Sequence, residues 1–428
     1  MHTALPSYEE AAALVADRAA QLGRILPALE RVELGRASGR FLAQPLVADR
    51  DQPPFARSTR DGFACRAAEA CMHRPLAVVG AARAGDAPSG PLSPGTAWEI
   101  MTGAPVPAGA DAVMMIEHVE TRGGAADGGA DNGNVRLLPP RTVEPGENIV
   151  AQGAQARRGD PLLAAGTALQ FGQIALAASC GYGTLDVFRR PRVAILTTGD
   201  ELAGVEATLA PGQIRNSNAP MLAALVAGAG GEAWVLPTAA DNAPALDALL
   251  AQAATADLLL ISGGVSAGKF DLVEPALARM GARFHFTGVR IQPGKPTVFG
   301  ELPRSAGSQS LTQPFFGLPG NPISSAVTFL LFAAPVLAAL AGSRQSAPRF
   351  ALARLAPPVD RHGKPGLTRF LPAWCDFGSP AGQPPRVAFV PWHGSGDLGA
   401  LARSNCFLEV PEEARSLEPG AFVRILLP

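Results

Sequence analysis

The stretch DLLLISGGVSAGKFDLV, residues 257–273, decides how this chain folds. Leu258 to Ile261 form an apolar run too short for a helix and too apolar for a half-exposed strand. Gly263 and Gly264 close the run, and the helix-like FDLVEPALARM follows at 270–280. A buried strand, a glycine turn and a helix in succession is the repeating element of a parallel α/β sheet. The spacing also meets most of a nucleotide-binding P-loop, with Gly263, Gly268 and Lys269 at the G-x-x-x-x-G-K positions. The last position fails, because Phe270 stands where a hydroxyl would hold Mg²⁺. What remains is a glycine turn whose backbone N–H groups, with Ser266, can cradle an anion.

Working outward, the same alternation covers residues 191–341. RVAILTTG, EAWVLPTAAD, RFHFTGVRI and PTVFG read as strands, and APMLAALVAGAGG and APALDALLAQAATA as helices. This predicts a mostly parallel sheet covered on both faces. Ligands of such sheets bind beyond the carboxyl ends of the strands, and the polar clusters TTGDEL, PTAADN and SGGVSAGKFD fall there. Residues 1–45 read as helical, with Ser7 and Glu10 forming a capping box. Residues 46–150 change to short β-like runs broken by Pro and Gly, with RGGAADGGADNGN at 122–134 as a hairpin loop. From 349 to 428 short strands return. The expected architecture is therefore a multi-domain α/β plus β protein. It has a helical and linker domain at 1–45 and 140–190 and an inserted β-rich domain at 46–139. An α/β domain follows at 191–345, and a small β-barrel-like domain at 346–428.

Composition narrows the class. Of 428 residues, 47% are hydrophobic and 17% charged, enough for several cores. The 47 Gly and 40 Pro follow no period, so they mark turns rather than collagen. A net charge of −1 argues against nucleic-acid binding by bulk electrostatics. The five cysteines make no CxxC pair and no zinc spacing, and Cys71 beside His73 is not enough for a metal site. They read as reduced thiols of a cytoplasmic protein. SYEEAAALVADRAAQL carries acids where a signal peptide would be apolar. ISSAVTFLLFAAPVLAALAG, 323–342, is uncharged and near the length of a membrane span. Pro335 interrupts it and hydroxyl residues dilute it, so a core helix is expected and no membrane partner.

The chemistry is carried by carboxylates at strand ends. Asp200 and Glu201 close one strand, Asp241 the next, and Asp271 sits at the mouth of the glycine turn; Asp61 in RSTRDGFA is a fifth acid. Carboxylates gathered at an anion site suit Mg²⁺ completed by phosphate oxygens. Helix capping is the competing reading for each of them. Lys295, held between Pro293 and Pro296 in IQPGKPTVFG, is either a phosphate contact or a solvated turn lysine. Gly320, Asn321 and Ser324 in FFGLPGNPISSAV lie where a turn opens a helix, and read as a second polar subsite or an ordinary N-cap. H-E-x-x-H, G-x-S-x-G and G-x-G-x-x-G are all absent.

TTGDEL, ISGGVSAGKFD, IQPGKPTVFG and FFGLPGNPISSAVTF, in this order and spacing, resemble the MoeA family of molybdopterin molybdenumtransferases, similar to the E domain of gephyrin. PPFARSTRDGFACRA and IMTGAPVPAGADAVMMIE resemble its N-terminal signatures, and the likeness runs from about residue 7 to 428. The resemblance implies an elongated homodimer. It implies a reaction taking adenylated molybdopterin and molybdate, with Mg²⁺, to molybdenum cofactor and AMP. It also implies a separate adenylyltransferase that supplies the substrate. Asp271, Asp241 and Glu201 match site acids, with Asp271, Asp61 and Glu201 as metal ligands. Asp61 and Thr102 match residues that reach the other subunit's cleft. Lys295 matches a ligand-side lysine, and Ser395 in WHGSGDL a serine of the C-terminal domain.

The chain also departs from the family pattern. N-[IV]-R-x-x-G-E-D becomes NIVAQGAQ, with Val150 for the arginine and Ala154 and Gln155 for the acids. Gln292 replaces the first lysine of I-K-P-G-K-P, and Arg369 is the candidate for an arginine near GLTRFLPA. These changes keep open a non-catalytic molybdopterin-binding or delivery paralogue. A tungsten-preferring insertase also stays open, because molybdate and tungstate are nearly alike in size and charge.

Overall fold

A computed structural model describes residues 5–25, 27–87, 90–123, 133–264, 272–304, 312–356, 366–378, 382–414 and 416–428. The chain divides into two compact units. One comprises Met1–Gln44, Gly166–Phe171 and Thr184–Pro428, the other Pro45–Ala165 and Gly172–Gly183.

The larger unit is built on a six-stranded sheet. In spatial order its strands are Glu232–Val235, Arg192–Thr197, Leu258–Ser262, Thr312–Leu318, Val298–Pro303 and Arg283–Phe286. The first four run parallel and the last two pair antiparallel, so the sheet is mixed but mostly parallel. The apolar run at 258–261 explains why both faces are covered. Successive strand residues point to opposite faces, so Leu258 and Leu260 enter one core and Leu259 and Ile261 the other. The first core takes Leu222 and Val226 of helix Asn218–Gly228. The second takes Leu246 and Leu250 of helix Ala243–Ala253, and Ala276 and Leu277 of helix Val273–Arg279.

The apolar helix Pro322–Leu340 lies in the first core, with 83% of its most apolar stretch buried inside the protein. Its centre, Phe329–Ala333, widens into a π turn just before Pro335. Proline lacks the N–H that would bond the carbonyl of Leu331, and its ring crowds that carbonyl. A wider turn relieves both without breaking the helix.

The expectation that residues 1–45 are helical is corrected. Among the described residues of this stretch only Tyr8–Leu22 is an α-helix, capped by Ser7 and Glu10 as the capping box requires. Pro27 cannot continue a helix, and Leu29–Glu33 instead forms a strand antiparallel to Thr184–Phe188. The helix buries Tyr8, Ala11, Val15, Ala19 and Leu22 in the first core. Arg18 ties it to the sheet by donating from Nε to buried Glu301 at 2.8 Å.

A five-stranded barrel ends the chain. Thr368–Asp376 pairs with both Arg386–Phe389 and Cys406–Val410. Phe350–Leu355 and Phe422–Leu426 close the ring. Tyr8 packs edge-on against Phe370 of the barrel at 5.3 Å and tilted against Phe332 at 6.4 Å. Burial, with Glu409 nearby, pushes its phenol up to about 12.

The smaller unit is β-rich. Its sheet runs Ala112–Met115, Gly62–Cys65, Thr96–Ile100, Leu76–Ala82, Asn134–Leu137, Val119–Arg122. The last two strands form the hairpin expected around 122–134, although residues 124–132 lie outside the described residues. All five cysteines are free thiols. Cys71 Sγ donates to the Val143 carbonyl and His73 Nδ1 contacts the Leu137 carbonyl, so the pair is committed to backbone.

Candidate functional site

The carboxyl ends of three parallel strands open into a cleft of about 850 Å³. Its walls include Thr197, Thr198, Glu201, Asp241, Gly264 and Asn321. The volume falls in the range of small-molecule and cofactor sites.

Two asparagines hold the strand ends together. Asn216 donates from Nδ2 to Thr197 Oγ1 at 2.8 Å and to Thr238 Oγ1 at 3.3 Å, and its Oδ1 accepts from Ala219 N. Asn218 donates from Nδ2 to Ser262 Oγ at 2.8 Å and to the Gly320 carbonyl at 2.6 Å. A carbonyl only accepts, so Gly320 fixes which way this amide faces. The two residues thus knit the loops after Thr197, Ser262 and Leu318. Sequence reading missed both, because Asn ahead of an apolar helix looks like an ordinary cap. The signal that could have found them is the polar run QIRNSNAP, placed between strand ends and a helix.

The glycine turn is shaped by close approach. Gly263 and Gly264 have φ of +93° and +62°. A Cβ on Gly264 would sit 2.8 Å from both Thr198 Oγ1 and Val273 Cγ2. Only glycine fits here on both counts. Gly199, at φ +143°, likewise leaves room for the Glu201 carboxylate, which a Cβ would meet at 2.6 Å.

The acids separate into two kinds. Asp200 and Asp241 brace each other's backbone. Asp241 N donates to Asp200 Oδ1 at 2.9 Å and Asp200 N to Asp241 Oδ2 at 3.4 Å. Asp200 is thus a structural cap, whereas Asp241 and Glu201 line the cleft. Ser266, Gly268 and Asp271 lie outside the described residues. Lys295 is exposed on the turn before Pro296; Pro296 lines the cleft and Lys295 does not. Ser324 is buried one turn into its helix, away from the cleft wall. Its neighbour Ser325 donates its hydroxyl to the Pro319 carbonyl. Ser395 accepts from Ile323 N through its carbonyl at 3.0 Å and leads into Gly396 of the cleft wall. Asp397, two residues on, caps helix Leu398–Ala402. Hydrogen bonds from the Ala400 and His393 N–H groups hold its carboxyl below the usual range. Arg369 is buried in a barrel strand, donates to the Ala414 carbonyl, and is the ladder partner of Gln292.

Asp61 and Thr102 meet in the smaller unit. Gly62 and Ile100 are ladder partners, so Asp61 and Thr102 fall at the same end of neighbouring antiparallel strands. Asp61 Oδ1 accepts from Thr102 N at 2.6 Å and from Thr102 Oγ1 at 2.8 Å. These bonds hold the Asp61 carboxyl below the usual carboxylate range, the backbone bond most of all.

Among the described residues no group of three or more His, Cys, Asp or Glu is close enough to hold a metal alone. The donor set of the cleft fits a different arrangement. Mg²⁺ is usually bound by one or two carboxylates, with substrate phosphates and water completing its shell. Glu201 and Asp241 match that pattern.

A polar cleft at the strand ends of an α/β unit, with a β-rich unit and a terminal barrel, defines the class. Comparison with known proteins gives the family. Residues 6–181 match the profile for the MoeA N-terminal region, domains I and II. Residues 194–339 match a profile described as "probable molybdopterin binding domain", and 354–427 the MoeA C-terminal region, domain IV. A molybdopterin molybdenumtransferase of a Nostoc species is 34% identical over 440 residues, spanning 99% of this chain and 94% of that one. One from Bacillus subtilis is 34% identical over 406 residues, spanning 93% and 89%. The crystal structure of a molybdopterin biosynthesis MoeA protein from Pyrococcus horikoshii superposes with a TM-score of 0.79 at 28% identity, covering 99% of this chain and 100% of that one. The chain belongs to the MoeA family of molybdopterin molybdenumtransferases.

Proposed function

We propose that this chain inserts molybdenum from molybdate into adenylated molybdopterin, releasing AMP. The observation that carries the reading is the pairing of Glu201 and Asp241 with a glycine turn at one cleft, inside the segment that matches a molybdopterin-binding profile. The glycine turn takes the anionic part of the ligand, and Lys295, on the exposed turn beside the cleft-lining Pro296, reaches it from the rim. Asn216 and Asn218 keep the cleft open in one shape before the ligand arrives, so little reorganisation is needed at the reacting phosphorus. Glu201 and Asp241, with Asp271, would hold Mg²⁺, which would supply charge withdrawal from the reacting phosphorus when bound. Asp61, kept ionised by Thr102, acts on the ligand from a second copy of the chain in a homodimer. The adenylated substrate comes from a separate adenylyltransferase in the cytoplasm. Division into the four segments named from the sequence is part of the same proposal.

The test is AMP release from adenylated molybdopterin and Mg²⁺, with and without molybdate. Molybdate-dependent release is the expected result. Tight binding of the adenylated ligand without release would move the chain to the non-catalytic cofactor-binding reading, which Val150, Gln155 and Gln292 favour. Tungstate in place of molybdate compares the two metals directly.

A further inference from the structure

A second cavity, of about 330 Å³, lies wholly within the smaller unit. Arg50, Gln52, Arg57, Gln155 and Ser179 are among its lining residues, and no carboxylate is. Asp51, the acid beside it in sequence, is turned away. Its carboxylate accepts from Gln152 Nε2 at 3.2 Å and from Arg158 N at 3.0 Å. Among the described residues neither Arg50 nor Arg57 has an ion pair, and Arg57 Nε is buried without a hydrogen-bond partner. A buried guanidinium donor left unpaired is costly. A cavity with two guanidiniums, two amides and no acid is a place for negative charge.

The strand pairing places Arg57 opposite one of the departures from the family pattern. Arg57 is the ladder partner of Val150, and residues directly opposite in an antiparallel pair project from the same face. Val150 stands where the family pattern has arginine, and Gln155 where it has an acid. Arg57 therefore supplies positive charge on the face that Val150 leaves apolar, and no carboxylate lines the cavity beside it.

We propose that this cavity is a binding site for a tetrahedral dianion, held by the guanidiniums of Arg57 and Arg50 with amide hydrogen bonds from Gln155. The chemistry is shared by a free metal oxyanion and by the terminal phosphate of a nucleotide. The inference does not depend on the proposed reaction, because it is tested by binding and not by turnover.

The test is equilibrium dialysis of the full chain against molybdate, inorganic phosphate and AMP in turn, with thermal melting to confirm folding. Bound anion per chain is counted for wild type, Arg50→Ala/Arg57→Ala, Gln155→Asp and Lys295→Ala. The double variant should lose one anion per chain, or bind it at least tenfold more weakly. Gln155→Asp should weaken binding at least tenfold, since it places a carboxylate in the cavity. Lys295→Ala should keep this site. Tighter molybdate than phosphate or AMP assigns the site to a metal oxyanion; tighter AMP assigns it to a nucleotide phosphate. Equal anion counts and affinities in wild type and in both cavity variants would overturn the proposal.

Discussion

The cleft of the larger unit and the Asp61–Thr102 corner of the smaller one treat a carboxylate in opposite ways. In the cleft, Glu201 and Asp241 line open space, Asp241 held among the described residues only by a long 3.4 Å contact from Asp200 N, and their backbone is braced by Asp200 and by the turn at Gly199. At the corner, Asp61 is gripped through one oxygen by both donors of Thr102. A carboxylate meant to share a metal with an incoming phosphate must stay available. One meant to be ionised and fixed in direction is better tied down. The difference teaches that presenting an acid is as much a matter of backbone as of charge.

Gly264→Val attacks the cleft side of that contrast most severely. A β-branched residue at φ +62°, with Cβ 2.8 Å from two atoms, should cost about 3 kcal/mol. The cost would be read from denaturant unfolding, and affinity for the adenylated ligand should fall with it. Asn218→Ala comes next. It strands the Gly320 carbonyl and one partner of Ser262, for about 2 kcal/mol. Because it loosens two strand-end loops at once, ligand affinity should drop even in buffers that restore stability. An unchanged affinity would show that the cleft does not need this brace.

The smallest effect is expected at the corner. Thr102→Val removes the hydroxyl bond to Asp61 and keeps the backbone one, which contributes more. The depressed folded-state value means that Asp61 favours the folded state above its ordinary pKa. That contribution is lost as pH falls through the folded value. The variant should therefore shift the acid limb of the activity profile, and acid unfolding, toward higher pH. A profile identical to wild type would show that the hydroxyl is idle.

The α/β alternation was legible because buried parallel strands are short continuous apolar runs, and helices between them end in glycine. Strand Thr312–Leu318 was harder. Pro314 lies inside it and its apolar end runs straight into the PGNP turn, so it reads as part of that turn. The chain after Leu22 was misread because Ala- and Leu-rich composition persists past Pro27, although pairing with Thr184–Phe188 decides its conformation. That partner is distant in sequence, and periodicity carries no trace of it. In the cleft, Glu201 and Asp241 were readable from their places at strand ends. Asn216 and Asn218 were not, since their importance lies in bonds across three loops. The long apolar helix was readable as core through Pro335 and its hydroxyl residues, and the π turn ahead of Pro335 shows how the helix tolerates that residue.

The most direct measurement compares wild type with Glu201→Gln/Asp241→Asn for both affinity for adenylated molybdopterin and molybdate-dependent AMP release with Mg²⁺. The account predicts release slower by about 100-fold or more with affinity changed by less than about tenfold. Release at the wild-type rate in this variant would contradict it, because the two cleft carboxylates would then have no part in the reaction.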